Sequence, residues 1–346
     1  MIDVLVVDDS VVVRRLVSDA LRDVPGLRVV GSAPNGRIAL AKVALLRPQI
    51  VILDVEMPDL GGLDTLRELQ LRHPSVPVIM FSTGSASGVN STLDALAAGA
   101  RDYVLKPSNI RSVAESISMV REQLVPRIRA LHSAPAAAVA PRAEPARRRP
   151  GRFDIVAIGC STGGPEALTR VLGALPANLG IPVLVVQHMP PTFTKLFADR
   201  LNRTIELTVV EATADLRLQE GTVYLAPGDR HLEVVRAGAD VVTRLSDGPP
   251  EHFCRPAVDV LFRSVARVFG GATLAVVLTG MGQDGRRGAA ELRAAGAEIV
   301  AQDEATSVVW GMPGAVVGAG LADAVLPLDS VADYLLGRVT AGRVSR

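Results

Sequence analysis

The chain has 346 residues, 48% hydrophobic and 21% charged, which suffices for two domains with separate cores. Its net charge is +1, from 13 Lys and Arg against 14 Asp and Glu in residues 1–126, 6 against 1 in 127–151, and 18 against 21 in 152–346. Neither long segment has the basic surplus of a nucleic-acid-binding module, so nucleic acid is not expected as the main partner. Apolar runs such as Ile50 to Leu53 and Leu274 to Leu278 fall far short of the roughly 18 residues of a membrane span, so no membrane insertion is expected. Met1-Ile2-Asp3 leads into an apolar run without a secretory pattern, and Cys160 and Cys254 have neither disulfide nor zinc spacing. The expected location is the cytoplasm, with both thiols reduced.

In chain order, strand-like runs at Val4 to Val7, Leu27 to Val30, Ile50 to Leu53, Val76 to Phe81 and Tyr103 to Leu105 alternate with helix-like ones at Val11 to Val24, Gly36 to Leu46, Leu63 to Leu71, Thr92 to Ala98 and Val113 to Leu124. This alternation predicts a doubly wound parallel α/β sheet over 1–126. Residues 127–151 turn to Ala, Pro and Arg, as in Arg147-Arg148-Arg149-Pro150. That composition can build neither a continuous helix nor a core, and it predicts a solvated linker. Over 152–346, strands are predicted at Phe153 to Ile158, Val183 to Gln187, Thr273 to Thr279 and Glu298 to Ala301. A helix is predicted at Pro165 to Leu175, and an antiparallel hairpin pairs His231 to Val235 with Asp240 to Leu245. The second domain therefore reads as a Rossmann-like α/β sheet with a β-hairpin.

Parallel sheets place functional groups at the carboxyl ends of their strands. In the first domain Asp8, Asp9, Asp54, Ser82 and Lys106 fall there. Three carboxylates together repel one another unless they share a hard cation, and Mg²⁺ suits oxygen ligands. Asp54 is then the candidate phosphoryl acceptor, with Lys106 and Ser82 contacting the phosphoryl oxygens. Taken singly, a strand-end Asp is more often a helix cap and a lone Lys a solvated group.

Together, Val7-Asp8-Asp9-Ser10, Leu53-Asp54-Val55-Glu56-Met57-Pro58, Ser82 and Tyr103-Val104-Leu105-Lys106-Pro107 resemble the receiver domain of bacterial response regulators, whose fold is flavodoxin-like. The resemblance implies phosphorylation of Asp54 by a sensor histidine kinase, and Mg²⁺ held by Asp8, Asp9, Asp54 and the Glu56 carbonyl. It also implies a cis Lys106-Pro107 bond and places Tyr103 on the output face. Gly61 departs from the pattern where an Asp is frequent.

In the second domain Gly159-Cys160-Ser161-Thr162-Gly163-Gly164 sits between a strand and a helix, a turn that exposes a serine hydroxyl near backbone N–H donors. His188 closes a buried strand, and Asp284 follows another in Thr279-Gly280-Met281-Gly282-Gln283-Asp284-Gly285. Ser161, His188 and Asp284 are thus candidates for nucleophile, base and orienting acid. Each has a plainer reading alone: Ser161 as a helix cap, His188 as a satisfied core histidine, Asp284 as the cap of a helix starting near Arg286. His231 and His252 end no buried strand and read as surface or structural. Trp310 reads as core rather than cleft. A dinucleotide site is disfavoured, because Gly-x-Gly-x-x-Gly is absent and Gln187-His188 stand where a ribose-binding acid belongs. A DNA-binding output domain is disfavoured by the near-neutral second half.

The order serine, histidine, aspartate is not that of ordinary α/β-hydrolases. With Gln187-His188-Met189-Pro190, Leu225-Ala226-Pro227-Gly228 and Ala301-Gln302-Asp303-Glu304, these motifs resemble the chemotaxis protein-glutamate methylesterase family, CheB, over about 152–340. The resemblance implies hydrolysis of glutamate γ-methyl esters on chemoreceptors, with deamidation of receptor glutamines and no cofactor in the esterase domain. The Thr162 and Met281 N–H groups would form the oxyanion hole. The receiver would block the Ser161 cleft until Asp54 is phosphorylated. Cys160, at a position where a small residue is commoner, reads as a packing variation and not a second nucleophile.

Overall fold

The computed structural model describes residues 1–108, 112–132 and 152–344, and the chain divides into two compact units, Met1–Ala134 and Pro135–Arg346. The first runs β1 (Ile2–Val7), α1 (Val11–Leu21), β2 (Leu27–Ala33), α2 (Gly36–Leu46), β3 (Ile50–Asp54), α3 (Gly62–Arg72), β4 (Val78–Ser82), α4 (Ala86–Ala97), β5 (Asp102–Leu105) and α5 (Val113–His132). Its strands lie in the order β2-β1-β3-β4-β5, all parallel, with β3 and β4 wholly buried between helices. The direction of winding reverses between β1 and β3. The ends of these two strands carry Asp8 and Asp54, so the candidate site lies at the switch point.

Three helices of the first unit differ from expectation. α1 ends at Leu21 rather than Val24, and Asp23 just beyond it takes φ +61°. α4 begins six residues before Thr92, because Ser85 Oγ accepts the Gly88 N–H at 3.1 Å and so caps a Ser- and Gly-rich first turn of weak helix formers. α5 continues past residue 126, where the linker was expected to begin, with Pro126 inside it. Burial of Ile128 and Leu131, about 1.5–3 kcal/mol for each side chain, offsets the roughly 3 kcal/mol that an interior proline costs. The rest of the expected linker, 133–151, lies outside the described residues.

The second unit runs β6 (Ile155–Cys160), α6 (Gly164–Gly173), β7 (Val183–Gln187), α7 (Pro191–Thr204), β8 (Thr208–Glu211), β9 (Thr222–Leu225), β10 (His231–Ala237), β11 (Asp240–Ser246), α8 (Val258–Phe269), β12 (Thr273–Val277), α9 (Arg286–Ala294), β13 (Glu298–Gln302), α10 (Met312–Gly318), β14 (Ala324–Leu326) and α11 (Leu328–Val344). Seven parallel strands order as β14-β13-β12-β6-β7-β9-β8, and β10 and β11 form the separate antiparallel hairpin. The chain winds outward from β6 through β7 on one side and returns through β12 on the other. This second switch point holds Ser161, flanked by the strand ends that precede His188 and Asp284.

Two candidate active sites at the switch points of the sheets

In the first unit the ends of β1, β3 and β5 converge. Lys106 Nζ lies 2.8 Å from both Asp8 Oδ2 and Asp54 Oδ2, and both carboxylates are almost wholly buried. Burial lowers and the two carboxylates raise the Lys106 pKa, and the net shift is upward. Burial, reinforced by the Asp8 charge and opposed by Lys106, pushes Asp54 up to about 6. Arg14, unforeseen from the sequence, donates to the Asp8 and Asp9 carbonyls at 2.6 and 2.9 Å. Thr92 of α4 donates to Ser82 Oγ at 2.6 Å, and Ser82 Oγ lies 3.3 Å from the Thr83 carbonyl oxygen.

Carboxylate oxygens of Asp8, Asp9 and Asp54 all lie within 4.8 Å of one another, and apart from the Lys106 ammonium the buried Asp8 Oδ2 has no partner. An all-oxygen cluster of this kind fits a hard divalent cation. Lys106-Pro107 is trans, contrary to the resemblance, and among the described residues the cis bond is Arg255-Pro256. Tyr103 is buried, and its burial drives the phenol pKa upward.

Two stability predictions arise here. Because the Asp54 pKa is raised on folding, the native state holds a proton that the unfolded state has released between about pH 4 and 6. Stability therefore falls as pH rises through that window. Asp54→Asn is expected to stabilise the metal-free receiver by about 2 kcal/mol at pH 7.5 and by little at pH 4, read by urea unfolding. Gly61 is the N-cap of α3 and provides no side-chain acceptor, and a Cβ there meets nothing closer than the Met57 carbonyl oxygen at 4.0 Å. Gly61→Asp should add a few tenths of a kcal/mol in the same measurement.

In the second unit β6 delivers Ser161 into a turn held from three sides. Ser161 N donates to the Thr279 carbonyl at 3.0 Å, Gly164 N donates to the Ser161 carbonyl at 2.8 Å, and the Thr279 hydroxyl donates to the Thr162 carbonyl at 2.9 Å. Gly163 has φ +76°, and a Cβ there would come within 2.6 Å of Val308, so the turn requires glycine. Gln187, read from sequence only as the end of β7, is a structural member of the site. Its buried amide donates to the carbonyls of Ser161 (3.0 Å) and His188 (3.2 Å), and its oxygen accepts the Cys160 thiol at 3.1 Å. Cys160 is fully buried and its pKa is driven up, so it is not a nucleophile.

His188 Nε2 and Asp284 Oδ2 are 2.8 Å apart. Asp284 also accepts the N–H groups of Val258 (2.6 Å), Asp259 (2.9 Å) and Gly285 (2.9 Å). It therefore caps α8, 26 residues back in sequence, as well as the turn before α9, so the plainer reading of Asp284 as a cap holds, and the same carboxylate faces His188. Burial works against its ionisation, but His188 and the backbone donors prevail and hold its pKa below the ordinary carboxylate value. Burial likewise disfavours the His188 imidazolium, and the Asp284 carboxylate with the Cys254 thiol raises its pKa above that of free histidine. No hydrogen bond joins Ser161 Oγ to the imidazole. The serine lies on the adjoining strand end, with Gly280 against its Cβ and His188 N donating to the Cys160 carbonyl at 3.2 Å. Such contacts commonly tighten only when substrate binds.

The other expected positions resolve individually. His231 is structural, accepting the Ala257 N–H at Nδ1 (3.2 Å) with Nε2 3.0 Å from the Pro249 carbonyl oxygen. His252 pairs with the buried Asp259 at 3.0 Å. Trp310 is half-buried rather than core, with its ring over Gly314 and its Nε1 donating to the Gln302 carbonyl at 3.2 Å. Among the described residues no helix is long and apolar enough to cross a membrane.

Family comparisons match both halves. Residues 156–335 match the CheB methylesterase model and residues 4–118 the response regulator receiver domain. The chain is 52% identical to a protein-glutamate methylesterase/protein-glutamine glutaminase of a Nocardioides species, over 99% of this chain and 97% of that one. It is 45% identical to one of the same name from Trichodesmium erythraeum, over 97% and 98%. The crystal structure of the Thermotoga maritima CheB methylesterase catalytic domain superposes with a TM-score of 0.53 at 43% identity, covering 54% of this chain and 98% of that one. A serine turn beside a histidine–aspartate pair, preceded by a carboxylate–lysine cluster and matched along nearly its whole length, places this chain in the CheB methylesterase family with an N-terminal receiver domain.

Proposed function

We propose that the protein hydrolyses glutamate γ-methyl esters on chemoreceptors in the cytoplasm, releasing methanol, and deamidates receptor glutamines by the same route. The observation that carries this reading is the His188–Asp284 contact beside the Ser161 turn. Ser161 Oγ attacks the ester carbonyl carbon while His188 takes its proton. The C–O bond to the methoxy group then breaks, and His188 returns the proton to the leaving methanol. A water, deprotonated by His188, attacks the acyl-serine and frees Ser161 and the glutamate side chain. With glutamine, ammonia leaves in place of methanol. Asp284 keeps the ring oriented and stabilises the imidazolium. The Thr162 and Met281 N–H groups bind the oxyanion, one such donor being worth about 3–4 kcal/mol.

In the receiver, the Asp54 carboxylate attacks the phosphorus of a histidine kinase phosphoimidazole as the P–N bond breaks. Lys106 and Ser82 contact the phosphoryl oxygens. Asp8, Asp9, Asp54 and the Glu56 carbonyl would hold Mg²⁺, which when bound neutralises phosphoryl charge. Phosphorylation of Asp54 raises the esterase rate. Methanol release from methylated receptor membranes, with and without a small phosphodonor, tests this: the donor is expected to accelerate the wild type and leave Asp54→Asn unchanged. Equal acceleration of both would exclude Asp54 as the switch. The raised His188 pKa predicts an acid limb of kcat/KM above the 6.5 of free histidine, since the ring acts as base only when deprotonated.

A further inference from the structure

Glu251–Cys254 forms a tight turn, with Glu251 N donating to the Cys254 carbonyl at 3.1 Å and Cys254 N to the Glu251 carbonyl at 2.8 Å. Its two central residues, His252 and Phe253, have φ of +50° and +63°, a region disfavoured for side chains larger than glycine or asparagine. The surroundings enforce it. Arg263 clamps Glu251, His252 bonds Asp259, and Arg255 bonds Asp229 and the carbonyls of Asp247 and Gly248. Both neighbours of Phe253 touch the catalytic network. The His252 partner Asp259 gives its N–H to Asp284, the carboxylate that pairs with His188, and Cys254 contributes to the upward shift of the His188 pKa. Phe253 itself packs on nothing: it is fully exposed, and every other exposed large hydrophobic side chain among the described residues, from Met1 to Met119, belongs to the first unit.

An aromatic residue in a strained position that buries no surface contributes nothing to the fold, where asparagine or glycine would be easier to accommodate. Such strain persists where it serves a site. We infer that Phe253 is the docking residue for the polypeptide substrate, gripping an apolar side chain next to the esterified glutamate and so bringing the ester to Ser161. This inference rests on the proposed esterase function.

The test uses the full chain with a small phosphodonor and methylated receptor membranes. Phe253→Asn, whose side chain tolerates positive φ, is expected to raise KM about tenfold with kcat changed by less than about twofold. Phe253→Tyr should restore KM, and the melting temperature of Phe253→Asn should not fall. An unchanged KM overturns the inference. So does a fall in kcat alone, which would make the turn a support for His188, and so does a rise only in the unphosphorylated rate, which would make Phe253 a contact of the receiver. A wild-type chain that releases no methanol would instead overturn the esterase reading beneath it.

Discussion

Asp284→Asn is expected to reduce kcat about 10⁴-fold, because an amide in place of the carboxylate presents an N–H to His188 and favours the wrong ring tautomer. The same change should also destabilise the second unit, an effect that a purely catalytic aspartate would not show. Asp284 accepts three backbone N–H groups besides its contact with His188. An asparagine can serve those facing its oxygen, but its amino group must face at least one donor. A buried unsatisfied donor costs about 1–3 kcal/mol, so thermal unfolding should show a loss of that order. Asp284→Ala removes every acceptor and should cost more. If Asp284→Asn loses activity at wild-type stability, the capping role is excluded.

Ser161→Ala should lower methanol release about 10⁵-fold or more, with a wild-type melting temperature. The substitution deletes only the hydroxyl. The bonds that shape the turn run through backbone atoms of Ser161, to Thr279 and Gly164, and through the Gln187 amide to its carbonyl. Full hydrolysis by Ser161→Ala would exclude serine as the nucleophile. Because Cys160 is buried with its pKa driven up, the thiol next in sequence cannot substitute for it.

Much of this was legible in local pattern. Val183–Gln187 and Gly36–Leu46 appear with the bounds that periodicity assigns them, since a fully buried strand and an amphipathic helix write their environment into consecutive residues. The short edge strands Thr208–Glu211 and Ala324–Leu326 were not legible, because a few residues with partial burial leave too short a signal. The extension of α5 to His132 was hidden by Pro126, whose unfavourable propensity is outweighed by packing.

The sites divide in the same way. Sequence by itself singled out the candidate residues, Asp54 and Lys106 in one unit and Ser161, His188 and Asp284 in the other, each at a strand end inside a short motif. Tertiary structure alone decided what holds them: Thr92 against Ser82, Gln187 tying the serine turn to His188, Asp284 closing the N-terminus of α8, and the positive-φ turn that leaves Phe253 exposed. The physical reason is range. A strand end and its turn are local and leave a pattern, whereas a buried polar group finds its hydrogen-bond partner wherever the fold brings one, across 26 residues or more, and no spacing in the chain encodes that distance.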